Sequence, residues 1–211
     1  MGLWKWLMSG GIVIGPLLIA SVLVVTLILE RSQFWWQVHQ RQETVIRQFL
    51  ADYKIQPQQA IQQLKQNRSL PMARIFLAAL EQEQATPEEF RLALESAAQG
   101  EIPVLKRFSA VFETVVGVAP LLGLLGTILG LIGSLSSLQL GELSGERTAG
   151  VTSGIGEALV STALGLVVAM VTLLFANVFQ ELYRRQRAAM VSYGGQLEIL
   201  YRRYCRRREP R

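Results

Sequence analysis

Three uncharged runs, at residues 6–29, 114–141 and 158–180, constrain this chain more than any other feature. Each exceeds the about 20 helical residues needed to cross a hydrocarbon core of about 30 Å. A water-soluble core would spread its apolar residues at amphipathic spacing, whereas here they gather in blocks. Half of the 211 residues are hydrophobic, and the mean hydropathy is +0.29. The fold class this predicts is an all-α membrane protein: three transmembrane helices with long cytoplasmic helical extensions.

The first run is longer than the apolar region of a signal peptide, and only Lys5 precedes it. Glu30 and Arg31 follow where a small-residue cleavage site would stand, so the run is expected to stay as a span. Trp4 and Trp6 near one end, and Phe34, Trp35 and Trp36 near the other, have the placing of interfacial aromatic belts.

Charge orients the spans. The tail after residue 180 holds nine arginines against Glu181, Glu198 and Glu209, while the 137–150 connection holds only Arg147 with Glu142 and Glu146. Basic residues stay on the cytoplasmic side, which puts the tail inside and that connection outside. The expected order is an extracytoplasmic tail at 1–9, a span at 10–30 and a cytoplasmic helical segment at 31–112. A span at 113–138, a short extracytoplasmic loop at 139–150, a span at 151–180 and a cytoplasmic basic tail at 181–211 complete it. The N-terminus is thus expected outside and the C-terminus in the cytoplasm.

Within the cytoplasmic segment, WQVHQRQETVIRQFLADY has a loose amphipathic pattern, and Pro57 suits the first turn of a short helix ending near Asn67. LPMARIFLAALEQ is nearly all apolar and should bury. Thr86-Pro87-Glu88-Glu89 is a helix start, with Thr86 as cap and Glu89 reaching back to it as in a capping box. No further start signal precedes the second span, so one helix is expected from there to about Leu138, bent if anywhere at Gly100 or Pro103. The third span likewise lacks a stop signal and should project beyond Arg187.

The stretch Gly150–Asn177 carries both a packing surface and an acid. Gly154, Ala158, Ser161, Gly165, Ala169, Thr172 and Ala176 recur at steps of three and four. On a helix that spacing makes one stripe, along which another membrane helix can approach closely. The second span repeats the device with Gly123, Gly126, Gly130, Gly133 and Ser137. Spans two and three are therefore expected as an inner layer, with the bulkier first span outside.

Glu157 is the one ionisable residue between Arg147 and Glu181. A charge at membrane depth costs about 2.5–3.5 kcal/mol on insertion scales, so it marks an ion path or a partner's counter-group by default. The plainer alternative is a glutamate near the outer interface, satisfied by the helix end and water. Thr127 and Thr162 are the other polar candidates, one deep in each inner span. Both can also simply bond their own backbone one turn earlier. Glu157 and Thr162, five apart, lie some 140° apart around a helix. A wide lumen, or one of them facing a neighbouring subunit, reconciles the two.

Other chemistry finds little purchase. Cys205 is the single cysteine, and His39, the single histidine, has no partner cluster, so no metal site or cofactor is expected. No nucleophile–base pair, phosphate loop or carboxylate pair suggests an enzyme. The arginine tail lacks the aromatic platforms of a nucleic-acid binder, and anionic membrane lipid is its simpler partner.

VAPLLGLLGTILGLI at 118–132 and GIGEALVSTALGLVVA at 154–169 resemble the MotA/TolQ/ExbB proton channel family, in its ExbB/TolQ branch. The resemblance implies a homopentamer whose second and third spans surround helices of a single-span ExbD/TolR-like partner. It implies that proton movement, linked to an aspartate on that partner, energises a TonB/TolA-like protein. Glu157, Thr127 and Thr162 then correspond to the family's third-span glutamate and pore-lining threonines. This chain has no aspartate in any span, consistent with a proton carrier on the partner. It departs from the family at Met170-Val171-Thr172, where a proline is usual. A non-conducting scaffold, or a MotA-like stator docking through Thr86–Glu101, are the alternative functions.

Overall fold

The computed structural model describes residues 13–82, 84–138 and 145–208, except the side chains of 137–138, 145–153, 157 and 207–208. The expected tail at 1–9, with Trp4 and Trp6, and residues 139–144 of the expected loop lie outside the described residues, while residues 145–150 are already helical. Among the described residues the protein is helical, without strands. Six helices follow in order: α1 (Ile14–Asp52), α2 (Pro57–Lys65), α3 (Pro71–Leu80), α4 (Pro87–Leu105), α5 (Ser109–Leu138) and α6 (Gly145–Arg208). Three stretches within Ile14–Asp52, Pro87–Ser136 and Gly154–Arg206 are helical, long and apolar enough to cross a membrane.

The chain forms two compact units, Met1–Glu30 with Phe108–Val178, and Arg31–Arg107 with Phe179–Arg211. The first, the membrane unit, contains the start of α1, all of α5 and the first part of α6. On α1, Ile14, Leu17, Val24 and Ile28 are buried, while Ile19, Val22, Val25 and Leu29 are exposed. One face of that helix packs inward and the other stays apolar and open.

The second unit has a conventional core. Ile46, Phe49, Leu64, Met72, Phe76, Phe90 and Leu197 are buried together with Trp35 and Leu105. Helix α3 is the centrepiece, with Pro71, Met72, Ala73, Ile75, Phe76, Leu77 and Ala79 all buried, as its apolar sequence predicts. The Thr86 capping box also forms: the Thr86 hydroxyl accepts from the Glu89 N–H, and the Glu89 carboxylate accepts from the Thr86 N–H at 2.7 Å. These bonds hold the Glu89 carboxyl below its usual range.

Several polar groups in this core are paired, although the buried Trp35 Nε1–H has no hydrogen-bond partner among the described residues. The Gln42 and Gln186 amides donate to each other at 2.8 and 3.1 Å, joining α1 to α6. Gln42 Oε1 also accepts from the Met72 N–H at 3.3 Å, satisfying a first-turn donor of α3 that has no partner within its own helix. Arg74 clasps Glu101 through two bonds of 2.7 and 2.6 Å, tying α3 to α4.

The expected unbroken helix from Thr86 to about Leu138 is not what forms. Helix α4 ends at Leu105, α5 begins at Ser109, and Phe108 between them has φ of 67°. A residue in the left-handed region terminates an α-helix. Pro103 has no N–H to give within the last turn, which weakens the helix just before the break. The end is then capped from a distant part of the chain. Arg31, only 2% exposed, donates to the Val104 carbonyl at 3.3 Å and the Leu105 carbonyl at 2.8 Å. Its guanidinium also lies 4.4 Å from the Phe34 ring centroid. A cation on these final carbonyls adds a donor where the regular helical pattern ends and opposes the negative end of the helix dipole. By contrast, α6 runs without interruption far beyond Arg187, as its unpunctuated sequence predicts.

Candidate functional site

The candidate site is the seam between α5 and α6 in the membrane unit. Their small residues bring the two backbones together. A Cβ added at Gly123 would stand 2.9 Å from the Thr162 Cα, and one at Gly130 would stand 2.9 Å from the Ala158 Cβ. At Gly165 it would meet the Ala119 carbonyl at 2.5 Å, and at Gly126 the Ser161 Cβ at 2.7 Å. Real Cβ contacts are almost never so short, so each position admits hydrogen only. Ala158, Ser161, Gly165 and Ala169 are all buried along this line. Gly133 differs: nothing lies within 4 Å of an added Cβ there.

Hydroxyl groups sort the polar residues of the spans. Thr26, Thr114, Thr127, Ser136 and Thr172 bond carbonyls of their own helices. For Thr127 the acceptor is the Leu124 carbonyl at 2.6 Å. Thr162 and Ser161 do something different. Thr162 Oγ1 donates across the seam to the Gly123 carbonyl at 2.9 Å. Ser161 Oγ lies 3.2 Å from the same carbonyl and 2.8 Å from the Ala158 carbonyl. Close approach of the backbones at Gly123 makes this possible, because any side chain there would hold the helices too far apart.

The structure thus brings Thr162, Ser161 and Gly123 together, with Thr127 one turn along α5 from Gly123. Glu157 belongs to α6, twelve residues after the helix starts at Gly145. That is about 18 Å along the axis, too far for the helix N-terminus to act on it strongly. Its side chain lies outside the described residues. Where the family proline is usual, α6 continues, and Thr172 Oγ1 bonds the Val168 carbonyl at 2.6 Å. Sequence reasoning gave Ser161 a packing role only; its hydroxyl chemistry needed the partner carbonyl to be located. Its i+4 spacing from Glu157 was the available signal.

The Thr86–Glu101 stretch, considered as a docking surface, has its acids engaged within the chain. Glu89 serves the cap, Glu95 pairs with Arg91 at 3.2 Å, Glu88 with Arg202 at 3.7 Å and Glu101 with Arg74. Among the described residues no group of three or more His, Cys, Asp or Glu could hold a metal ion.

Residues 67–192 match the model of the MotA/TolQ/ExbB proton channel family, a range that includes the whole seam. The chain is 58% identical over 197 residues to the ExbB-like 3 protein of Synechocystis sp., covering 93% of this chain and 94% of that one. It is 37% identical over 198 residues to the ExbB-like 1 protein of the same organism, covering 92% and 77%. To the biopolymer transport protein ExbB of Salmonella typhimurium it is 30% identical over 114 residues, covering 54% of this chain and 45% of that one.

Proposed function

Because the chain belongs to the MotA/TolQ/ExbB proton channel family, we propose that it is the channel subunit of an energy-transducing complex in the bacterial inner membrane. It assembles as a homopentamer around an ExbD/TolR-like single-span partner and passes the energy of proton flow to a TonB/TolA-like protein. Thr127, Thr162 and Glu157 line the path. The N-terminus lies outside and the arginine-rich tail inside, against anionic lipid.

The observation that carries this reading is the Thr162 hydroxyl bonded to the Gly123 carbonyl, with the Ser161 hydroxyl beside it, at a close approach of two backbones within two spans. Interhelical hydrogen bonds also hold membrane helices together, so this bond serves packing as well. The Thr162 hydroxyl, on a half-buried residue, is the one that a proton path would use. The outward faces support an assembly as well. Leu121, Ile132 and Leu135 of α5, and Leu159, Met170 and Leu174 of α6, are exposed and apolar, ready for lipid or for neighbouring helices.

The test is proton flux into vesicles containing the complex, followed with a pH-sensitive dye. Glu157→Gln and Thr162→Val should each reduce flux strongly, and a protonophore should abolish the transport that the complex supports. Full activity from vesicles holding this polypeptide alone would overturn the partner-dependent mechanism. Unchanged flux in both variants would overturn their place in the path, and a complex without proton flux whose function both variants leave intact would be a non-conducting scaffold.

A further inference from the structure

Two hydroxyls and one carbonyl meet at the seam, and they cannot all be bonded at once. A hydroxyl carries one proton, so Ser161 donates either to the Ala158 carbonyl at 2.8 Å or to the Gly123 carbonyl at 3.2 Å. A carbonyl oxygen offers two lone pairs. Within α5 the regular helical pattern gives one of those on Gly123 to the N–H of Thr127. Ser161 and Thr162 therefore compete for the second. In the structure Thr162 has the shorter bond to it, at 2.9 Å, while Ser161 rests on its own helix.

We propose that Ser161 is a positioning residue for proton passage, a reserve donor that holds α6 to the Gly123 carbonyl while Thr162 turns its hydroxyl into the path. The proposal rests on reading Thr162 as a path residue. Threonine in a helix divides between two χ1 rotamers, so Thr162 has a second orientation available away from Gly123. Its departure would cost the seam an interhelical bond. Ser161 replaces it by rotating one O–H, with no heavy atom moving. Its 1% exposure, and the 2.7 Å between its Cβ and a Cβ added at Gly126, show how firmly it is seated. The number of bonds across the seam is the same before and after the exchange, so Thr162 can act without the helices parting. No covalent bond changes; the exchange moves a hydrogen bond from one donor to another.

The experiment uses the complete complex in vesicles and compares Ser161→Ala, Thr162→Val and the double variant with the native protein. Ser161→Ala should lower maximal proton flux about threefold to tenfold, the worth of one interhelical hydrogen bond in a membrane. Assembly, melting temperature and the pH of half-maximal flux should stay in place. In the Thr162→Val background the serine change should cause no further loss, because there is no hydroxyl left to release. Native flux in Ser161→Ala, or losses that multiply in the double variant, overturns the proposal. Native flux in Thr162→Val instead strikes the reading of Thr162 itself, whatever Ser161 does. Should Ser161→Ala fail to assemble, Thr162→Ser decides the matter. Freed of its β-branch, that hydroxyl turns more easily and flux should rise; flux at or below native overturns the proposal.

Discussion

Around Gly123 and Gly165 the chain sets backbone against backbone, whereas around Phe76 and Phe90 it sets ring and branched side chain against each other. In water, burying an apolar side chain releases about 25 cal/mol for each Å² removed from solvent, so the second unit, Arg31–Arg107 with Phe179–Arg211, fills its interior with large residues. In lipid that gain vanishes, since the surroundings are as apolar as leucine. Close van der Waals contact and hydrogen bonds then drive association, and both need small residues at the contact. Many bulky residues of α5 and α6 accordingly face outward; Leu159 is 65% exposed and Leu121 64%. The two units teach that residue size has opposite meaning on the two sides of the interface.

The contrast can be broken by truncation. Phe90 is fully buried and stacks on Tyr201 with ring centroids 3.9 Å apart, while the Tyr201 hydroxyl donates to the Ala85 carbonyl at 2.8 Å. Phe90→Ala should destabilise the second unit by about 3–5 kcal/mol, the usual range for a buried ring. Urea titration of the detergent-solubilised protein, followed by tryptophan fluorescence, measures it. Leu121→Ala in the membrane unit should cost well under that in the same assay. Equal costs would mean that the spans, too, are held by buried bulk.

Enlargement should reverse the ranking. An alanine Cβ at position 165 would press on the Ala119 carbonyl at 2.5 Å and the Gly123 Cα at 3.1 Å, backbone atoms that cannot turn aside. Gly165→Ala should cost about 1–3 kcal/mol and depress proton flux with it. Gly126→Ala meets a side chain instead, that of Ser161. Ser161→Gly should therefore restore the melting temperature lost in Gly126→Ala, and should not rescue Gly165→Ala. Rescue of both, or of neither, would show that the paired contacts do not hold the seam.

A smaller effect sharpens the picture of the second unit. Burial pushes the Tyr53 phenol up from 10.0 to about 12, with the negative forms of Tyr201, Tyr204 and Cys205 adding to it. The folded state then holds the phenolic proton more tightly than the unfolded state. Stability from this group is complete below pH 10 and is lost as pH rises from about 10 to about 12. Tyr53→Phe should flatten that part of the stability profile, measured by the same urea titration, while the membrane unit has no part in it. An unchanged slope would mean that the phenol is solvated in the native state.

How far the sequence discloses these arrangements depends on distance along the chain. The spans and the Thr86 cap are legible because uncharged length and a four-residue motif carry their meaning locally. The small-residue stripes are legible for the same reason, as a period of three and four. What each stripe touches is not. The break at Phe108 depends on Arg31, 73 and 74 residues away from the carbonyls it caps, and no local signal announces that. Gln42 and Gln186 are separated by 144 residues, and in sequence they look like two surface glutamines among many. The site follows the same rule: Thr162 stands out as a hydroxyl in an apolar run, yet its acceptor lies 39 residues earlier on another helix.

Gly130 and Gly133 provide the most delicate comparison, because the sequence treats them alike. Both continue the glycine steps of α5, but Gly130 faces the Ala158 Cβ at 2.9 Å and the Gly154 carbonyl at 3.3 Å, while Gly133 faces open space within this chain. Glycine in a helix interior is less favourable than alanine by roughly 0.5–1 kcal/mol, an effect of backbone entropy that does not depend on contacts. At Gly133 the alanine methyl group meets no resistance, so Gly133→Ala should leave the melting temperature of the solubilised protein unchanged or slightly raised. At Gly130 the clash outweighs the entropy gain, and Gly130→Ala should lower it. Flux from the assembled complex adds a second measurement, because a neighbouring helix packed on Gly133 would make the same alanine harmful there and only there. A melting loss at Gly133 as large as that at Gly130 would detach helix stability from the contacts across the seam, and with it the idea that small residues in this protein matter only where a backbone comes close.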